Sequence, residues 1–140
     1  MIEILKVQEI VREAAKIFSN RNAAEQIKQK GVFDYVTAID EAVQEFIQKE
    51  LSDLYPQIQF MGEEKDNSDI DMSGQVWVLD PVDGTTNLIH DYQNSAISLA
   101  LIDNSEIILG IIYNPFSDEM FYAEKDKGSF LNGKRIYVSD

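Results

Sequence analysis

Asp80 and Asp83 stand three positions apart at the end of an apolar run, and Gly84-Thr85-Thr86-Asn87 comes immediately after. No basic residue separates the two acids. Two carboxylates at a strand's end are costly unless something cationic joins them, because each charge disfavours ionisation of the other. A hard divalent cation such as Mg²⁺ suits the pair, since it takes oxygen ligands and keeps several waters. Gly84 lets the backbone approach a ligand closely. The residues after it can open a helix, whose free N–H groups suit a phosphate. Metal and phosphate are therefore expected side by side.

A strand and two helices carry these residues. The β-formers at 76 to 79 make a buried strand. Pro81 is expected to end it, because proline has no N–H to give a sheet. Upstream, Ile58 and Phe60 alternate with polar neighbours in a short strand that leads to Gly62-Glu63-Glu64. That strand end offers a further carboxylate, although two glutamates after a strand also suit a solvated loop. Residues 3–20 read as a helix, with Val7, Val11, Ala14, Ala15 and Phe18 on one side. Residues 38–54 form a second, with Ile39, Val43, Phe46, Ile47, Leu51 and Leu54 at the 3.6-residue period. Thr37 and Asp40 make a capping-box variant at its start, and Pro56 stops it. Residues 21–33, with a turn at Gly31, are expected to be an exposed loop and 65–74 a mobile one. From Ser95 the chain reads as an antiparallel meander with strands 95–102, 106–113, 119–124 and 134–138. Asp103-Asn104, Asn114-Pro115 and Asn132-Gly133 supply its turns. Helices followed by a mostly antiparallel sheet make an α+β plan. Helices on one face leave the other face of the sheet to be covered by something else.

The chain has 140 residues and is 44% hydrophobic, enough for one domain with a core. It has no cysteine, which excludes disulfides and thiolate metal sites and fits a reducing cytoplasm. No apolar run approaches membrane-spanning length, and the N-terminus lacks the pattern of a signal peptide. The formal net charge of −13 opposes binding to nucleic acid or anionic lipid. It would also repel a phosphorylated substrate unless bound cations reverse the sign locally.

The stretch Trp77-Val78-Leu79-Asp80-Pro81-Val82-Asp83-Gly84-Thr85-Thr86-Asn87 resembles the Asp-Pro-(Ile/Leu/Val)-Asp-Gly-Thr-Thr-Asn signature of the inositol monophosphatase family of metal-dependent, lithium-sensitive phosphatases. Two further segments share the resemblance. Gly62-Glu63-Glu64 is similar to the family's Gly-Glu-Glu, and Asp34-Tyr35-Val36-Thr37-Ala38-Ile39-Asp40 to its Asp-x-Val-Thr-x-x-Asp. The resemblance implies two N-terminal helices packed on a mostly antiparallel sheet, the N-terminal part of that family's α/β/α sandwich. It spans essentially the whole chain but only the first half of a family member, which continues into a second α/β domain.

By the same resemblance, Glu63 is a metal ligand and Glu64 its neighbour. Asp80 bridges metals, Asp83 binds a second metal, and Val82 contributes its backbone carbonyl. Gly84 and Thr85 hold the substrate phosphate through backbone N–H groups. Asp40 and the Thr85 hydroxyl orient the attacking water. Asp40 also sits where a capping-box acid belongs, the threonines suit ordinary helix capping, and all these roles stand open together. Asp34 is expected to be structural. Lys28 and Lys30 lie where the family places a mobile basic residue, and neither is assigned. His90, the sole histidine, is expected to be partly buried and structural.

Two or three Mg²⁺ ions and a small phosphorylated metabolite, of the inositol monophosphate type, are thus the implied cofactor and substrate. Fructose bisphosphate and NADP are alternatives of the same superfamily. The family also implies a homodimer. It further places another metal-binding aspartate in a Trp-Asp motif of the second domain, whereas Trp77 here precedes the signature. A different reading is a non-catalytic metal-binding or interaction domain that uses an exposed sheet face to dimerise or to bind a partner. The short chain favours it, and the joint presence of Glu63, Asp80, Asp83 and Thr85 opposes it.

Overall fold

A computed structural model describes residues 2–24, 27–29 and 35–139. The first helix, α1 (Ile4–Ala15), tightens into a 3₁₀ turn over Lys16–Ser19 instead of running as one helix to residue 20. The expected apolar face is nevertheless the buried one, from Val7 through Phe18. Residues 21–33 are not simply loop. A single turn of helix, α2 (Arg21–Ala24), is followed by β1 (Ile27–Gln29). β1 pairs antiparallel with β2 (Tyr35–Thr37). Three-residue strands carry too little alternation to stand out in a sequence, because their pairing partner lies elsewhere. Lys28 lies in β1 opposite Val36; Lys30, Gly31 and Asp34 lie outside the described residues.

The second long helix, α3 (Ala38–Leu54), starts at a complete capping box. Thr37 accepts from the Ile39 and Asp40 N–H groups, and the Asp40 carboxylate accepts from the Thr37 N–H at 2.9 Å. Such a cap contributes about 1 kcal/mol. After β3 (Gln59–Gly62) come β4 (Gln75–Asp83), the short helix α4 (Thr85–Ile89), and five antiparallel strands. These are β5 (Ala96–Asp103), β6 (Glu106–Asn114), β7 (Glu119–Glu124), β8 (Gly128–Leu131) and β9 (Lys134–Ile136). Among the described residues β3 to β9 make one seven-stranded sheet in chain order, in which only β3–β4 is parallel. β8 falls in a stretch that sequence reading left unassigned. It is defined by its ladder to β7, not by its own four residues.

The segment 65–74 is tethered, contrary to the expectation of a mobile loop. Asn67 makes two hydrogen bonds to the Gly62 backbone, at 2.8 and 3.2 Å. The Gln59 amide bonds the Asp71 backbone in both senses at 2.8 Å. A local scan misses this, since each anchor joins a loop residue to a strand.

The helices cover one face of the sheet. Val43, Ile47 and Leu51 of α3 pack with Trp77 and Leu79 of β4, Leu99 and Leu101 of β5, and Ile111 of β6. The opposite face buries Val76 on β4 but is otherwise more open, with Ser98 and Ala100 on β5 and Gly110 and a half-exposed Ile112 on β6. Among the described residues no helix is long and apolar enough to cross a membrane.

The two faces should respond differently to truncation. Leu99→Ala, at a residue 1% exposed, should cost about 2–5 kcal/mol in urea unfolding. Ile112→Ala, at one 49% exposed, should stay within about 0.5 kcal/mol. Equal losses would contradict the one-sided core.

Candidate active site

The site forms where β4 runs past its expected end. Pro81 does not stop the strand: β4 continues to Asp83. Asp80 faces Ser98 and Asp83 faces Ala96, so three steps along β4 match two along β5. The extra residue is a β-bulge, and Pro81 and Val82 are buried in succession there, breaking the alternation. Proline is tolerated at a bulge because the ladder is interrupted anyway. In a regular strand, residues three apart point to opposite faces. Ser98 and Ala96 share a face, so the bulge brings Asp80 and Asp83 onto it as well.

Asp80 meets Glu63 there. One Asp80 carboxylate oxygen, Oδ1, is buried without a hydrogen-bond partner. Burial pushes the Asp80 carboxyl up to about 7, helped by the adjoining Glu63 carboxyl and the nearby Asp83 charge. A cleft of about 330 Å³ opens beside the pair, lined by Glu63, Asn67, Asp80 and Ser98 among others. A half-buried acid with an orphaned oxygen and acidic neighbours must keep a proton or take a cation. The donor set therefore fits a hard, oxygen-seeking ion. As the side chains stand, no three Asp, Glu or His groups among the described residues converge into a closed ligand cluster, and Glu63 and Asp83 are exposed.

Glu63 is held from behind by residues that sequence reading missed. Gln44, 5% exposed, accepts from the Glu64 N–H at 2.8 Å. Its side chain fills the space that a Cβ on Gly62 would need, 2.5 Å from that point. The one sequence signal is its spacing: Gln44 stands four residues after Asp40, on the same side of α3.

Beyond the bulge, Gly84 adopts φ 88° and ψ 43°, the left-handed region, with the Asn94 carbonyl 3.1 Å from where a Cβ would be. Only glycine meets both demands. The Ser95 hydroxyl, buried, donates to the Gly84 carbonyl at 2.8 Å, and the Asn87 amide donates to the Asn94 carbonyl at 2.8 Å. Neither serine nor asparagine carries a sequence signal for these roles, since both contacts close a loop.

Thr85 opens α4. Its hydroxyl lies 3.0 Å from Asp40 Oδ1 and 3.2 Å from the Val82 carbonyl, both acceptors. Asp40 Oδ2 meanwhile accepts from the Thr37 hydroxyl at 2.7 Å. Asp40 is thus both the capping-box acid and the partner of Thr85. Burial raises its pKa, against the lowering effect of these hydrogen bonds. His90 departs from the expected half-buried structural residue: it is exposed and stacks on Tyr92 at 5.5 Å.

The family model for the inositol monophosphatase family matches residues 2–140. An inositol monophosphatase of Dictyostelium discoideum is 42% identical over 135 residues, covering 94% of this chain and 50% of that protein. A fructose-1,6-bisphosphatase/inositol-1-monophosphatase of Thermotoga maritima is 39% identical over 113 residues, 81% of this chain and 43% of that one. The crystal structure of the extragenic suppressor protein suhB from Bartonella henselae superposes with a TM-score of 0.88 at 34% identity. It covers 97% of this chain and 54% of its own. The chain spans about half the length of the curated relatives it matches.

Asp80 binds its proton more tightly in the folded chain than its ordinary value of 3.8 would give. Its contribution to stability is therefore full below that value and lost as pH rises through about 7. In metal-free buffer the urea midpoint should fall across this window, and Asp80→Asn should flatten the fall; an unchanged slope would reject the assignment. Gly62→Ala should cost about 1–3 kcal/mol, and Gln44→Ala in the same chain should recover part of the loss, read as a double-mutant cycle.

Proposed function

Because the chain belongs to the inositol monophosphatase family, we propose that it carries the metal- and phosphate-binding part of a Mg²⁺-dependent phosphomonoesterase. The substrate would be a small phosphorylated metabolite of the inositol monophosphate type. The observation that carries this reading is the orphaned Asp80 oxygen, buried beside Glu63 and close to Asp83.

Glu63, Asp80, Asp83 and the Val82 carbonyl would hold two or three ions. When bound, Mg²⁺ neutralises phosphate charge and acidifies water. The backbone at Gly84 and Thr85 would hold the phosphate, at the first turn of a helix whose initial N–H groups have no partner within it. The Thr85 hydroxyl, directed by Asp40 at 3.0 Å, would accept a hydrogen bond from the attacking water and aim it in line with the ester oxygen. Asp40, whose pKa burial raises, would take the water's proton through the Thr85 oxygen as the new P–O bond forms, and the departing alkoxide would take a proton from solvent water as the ester P–O bond breaks. No covalent phosphoenzyme is needed.

Part of the machinery would lie in the portion of the relatives that this chain does not cover: a further metal-binding aspartate and most contacts to the substrate alcohol. The half-exposed sheet face bearing Ser98, Ala100 and Ile112 is consistent with such a neighbour. A second reading is a metal-binding module without turnover, because this chain does not cover the part of the relatives that would supply the further aspartate.

Phosphate release from inositol 1-phosphate, fructose 1,6-bisphosphate and NADP, each with and without Mg²⁺, separates these readings. Release from inositol 1-phosphate that requires Mg²⁺ and falls more than about a hundredfold in Asp83→Asn is expected. Mg²⁺-dependent activity that survives Asp83→Asn would overturn the assignment. Mg²⁺ binding by titration calorimetry without turnover would support the module instead.

A further inference from the structure

Arg21 sits in a segment without sequence periodicity, yet its guanidinium reaches across the chain to α4. One nitrogen, Nη1, donates to the Leu88 carbonyl at 2.7 Å and the other, Nη2, donates to the Ile89 carbonyl at 3.1 Å. The Asp91 carboxylate stands 3.9 Å away. These carbonyls belong to the last turn of α4, where the helix dipole favours a cation, and the Leu88 carbonyl also accepts from the Asp91 N–H at 3.2 Å. The Arg21 and Asp91 side chains are 37% and 54% exposed, so the ion pair adds little and the two hydrogen bonds carry the contact.

The contact matters because α4 has five residues. A helix of little more than one turn does not hold its shape unaided; it behaves as a small rigid body pinned by its surroundings. Its first end is pinned by Thr85 on Asp40 and by Ser95 on Gly84. At the other end Leu88, 1% exposed, seats the helix in the core, and Arg21 fixes the last carbonyls by hydrogen bonds. At 1.5 Å per residue, that end lies about 6 Å along the helix from Thr85, so Arg21 acts on the signature turn through the helix.

We propose that Arg21 is a positioning residue for the signature turn, clamping the far end of α4 so that Gly84 and Thr85 keep the arrangement that takes phosphate. This rests on the phosphate-binding reading of Gly84 and Thr85 above. The fork geometry of the guanidinium is part of the proposal: an ammonium can bond one carbonyl but not both in parallel.

The test compares wild type, Arg21→Gln and Arg21→Lys by amide hydrogen exchange and by calorimetric binding of inorganic phosphate in the presence of Mg²⁺. The reporting amides are Leu88, His90 and Tyr92, which bond to Gly84, Thr86 and Asn87 respectively. Without any ligand, Arg21→Gln should speed their exchange about tenfold and shift the Gly84 and Thr85 amide resonances, while the amides of β5 and β6 stay unchanged. Phosphate affinity should fall about tenfold, and Arg21→Lys should recover part of both effects. Unchanged exchange at those amides, or a uniform rise across the sheet, would overturn the proposal, as would altered exchange with undiminished phosphate affinity. A wild-type chain that binds no phosphate overturns the function reading instead, and the ligand-free exchange result then decides the clamp on its own.

Discussion

The site depends on one irregularity in one strand, the bulge at Pro81 and Val82. β4 lies between a parallel neighbour and an antiparallel one, with its apolar side chains under α3. Its register is therefore not free to slip, because a one-residue shift would turn Trp77 and Leu79 out of the core. Within that constraint, the only way to bring Asp80 and Asp83 to one side is to insert a residue between them. Proline removes a donor that the interrupted ladder no longer uses, so its presence reinforces the bulge instead of ending the strand.

The bulge creates an electrostatic problem that the fold leaves open. Asp80 is half-buried with an oxygen that finds no donor, and Glu63 comes up beside it. A carboxyl raised to about 7 is a poor arrangement for stability and a good one for taking a cation, since a bound cation would offset the charge that burial and the neighbouring acids disfavour. The rigid frame around it supports that contrast. Gln44 fixes the backbone after Gly62, Asn67 fixes Gly62 itself, and Ser95 fixes the turn at Gly84. The unfavourable charges are thereby held by neutral hydrogen bonds that do not compete with a ligand.

Asp40 shows how one residue serves two levels of the structure. Its Oδ2 completes the capping box of α3, a local interaction within one turn. Its Oδ1 takes the Thr85 hydroxyl from a residue 45 positions away. The helical layer and the signature turn meet at this carboxylate, so the start of α3 and the start of α4 cannot move independently. The local role could be read from Thr37-x-x-Asp40; the long-range one came from family resemblance and is now visible as a contact.

The amphipathic faces of α1 and α3, the meander and its turns, the acidic pair, the glycine at 84 and the capping box were all legible in the order of the residues. Each depends on residues within a turn or a strand of one another, where periodicity and backbone preference act directly. The remaining features arise only when distant segments meet. β1 and β8 exist because a partner strand pairs with them, and three or four residues do not reveal that partner. The Pro81 reading failed because a proline's effect depends on whether its neighbours need the missing N–H, which only the register with β5 determines. The roles of Gln44, Ser95 and Arg21 arise from contacts across 11 to 68 positions. A polar side chain has no periodic signature for such a contact, because its hydrogen bond is specified by where the fold places the acceptor.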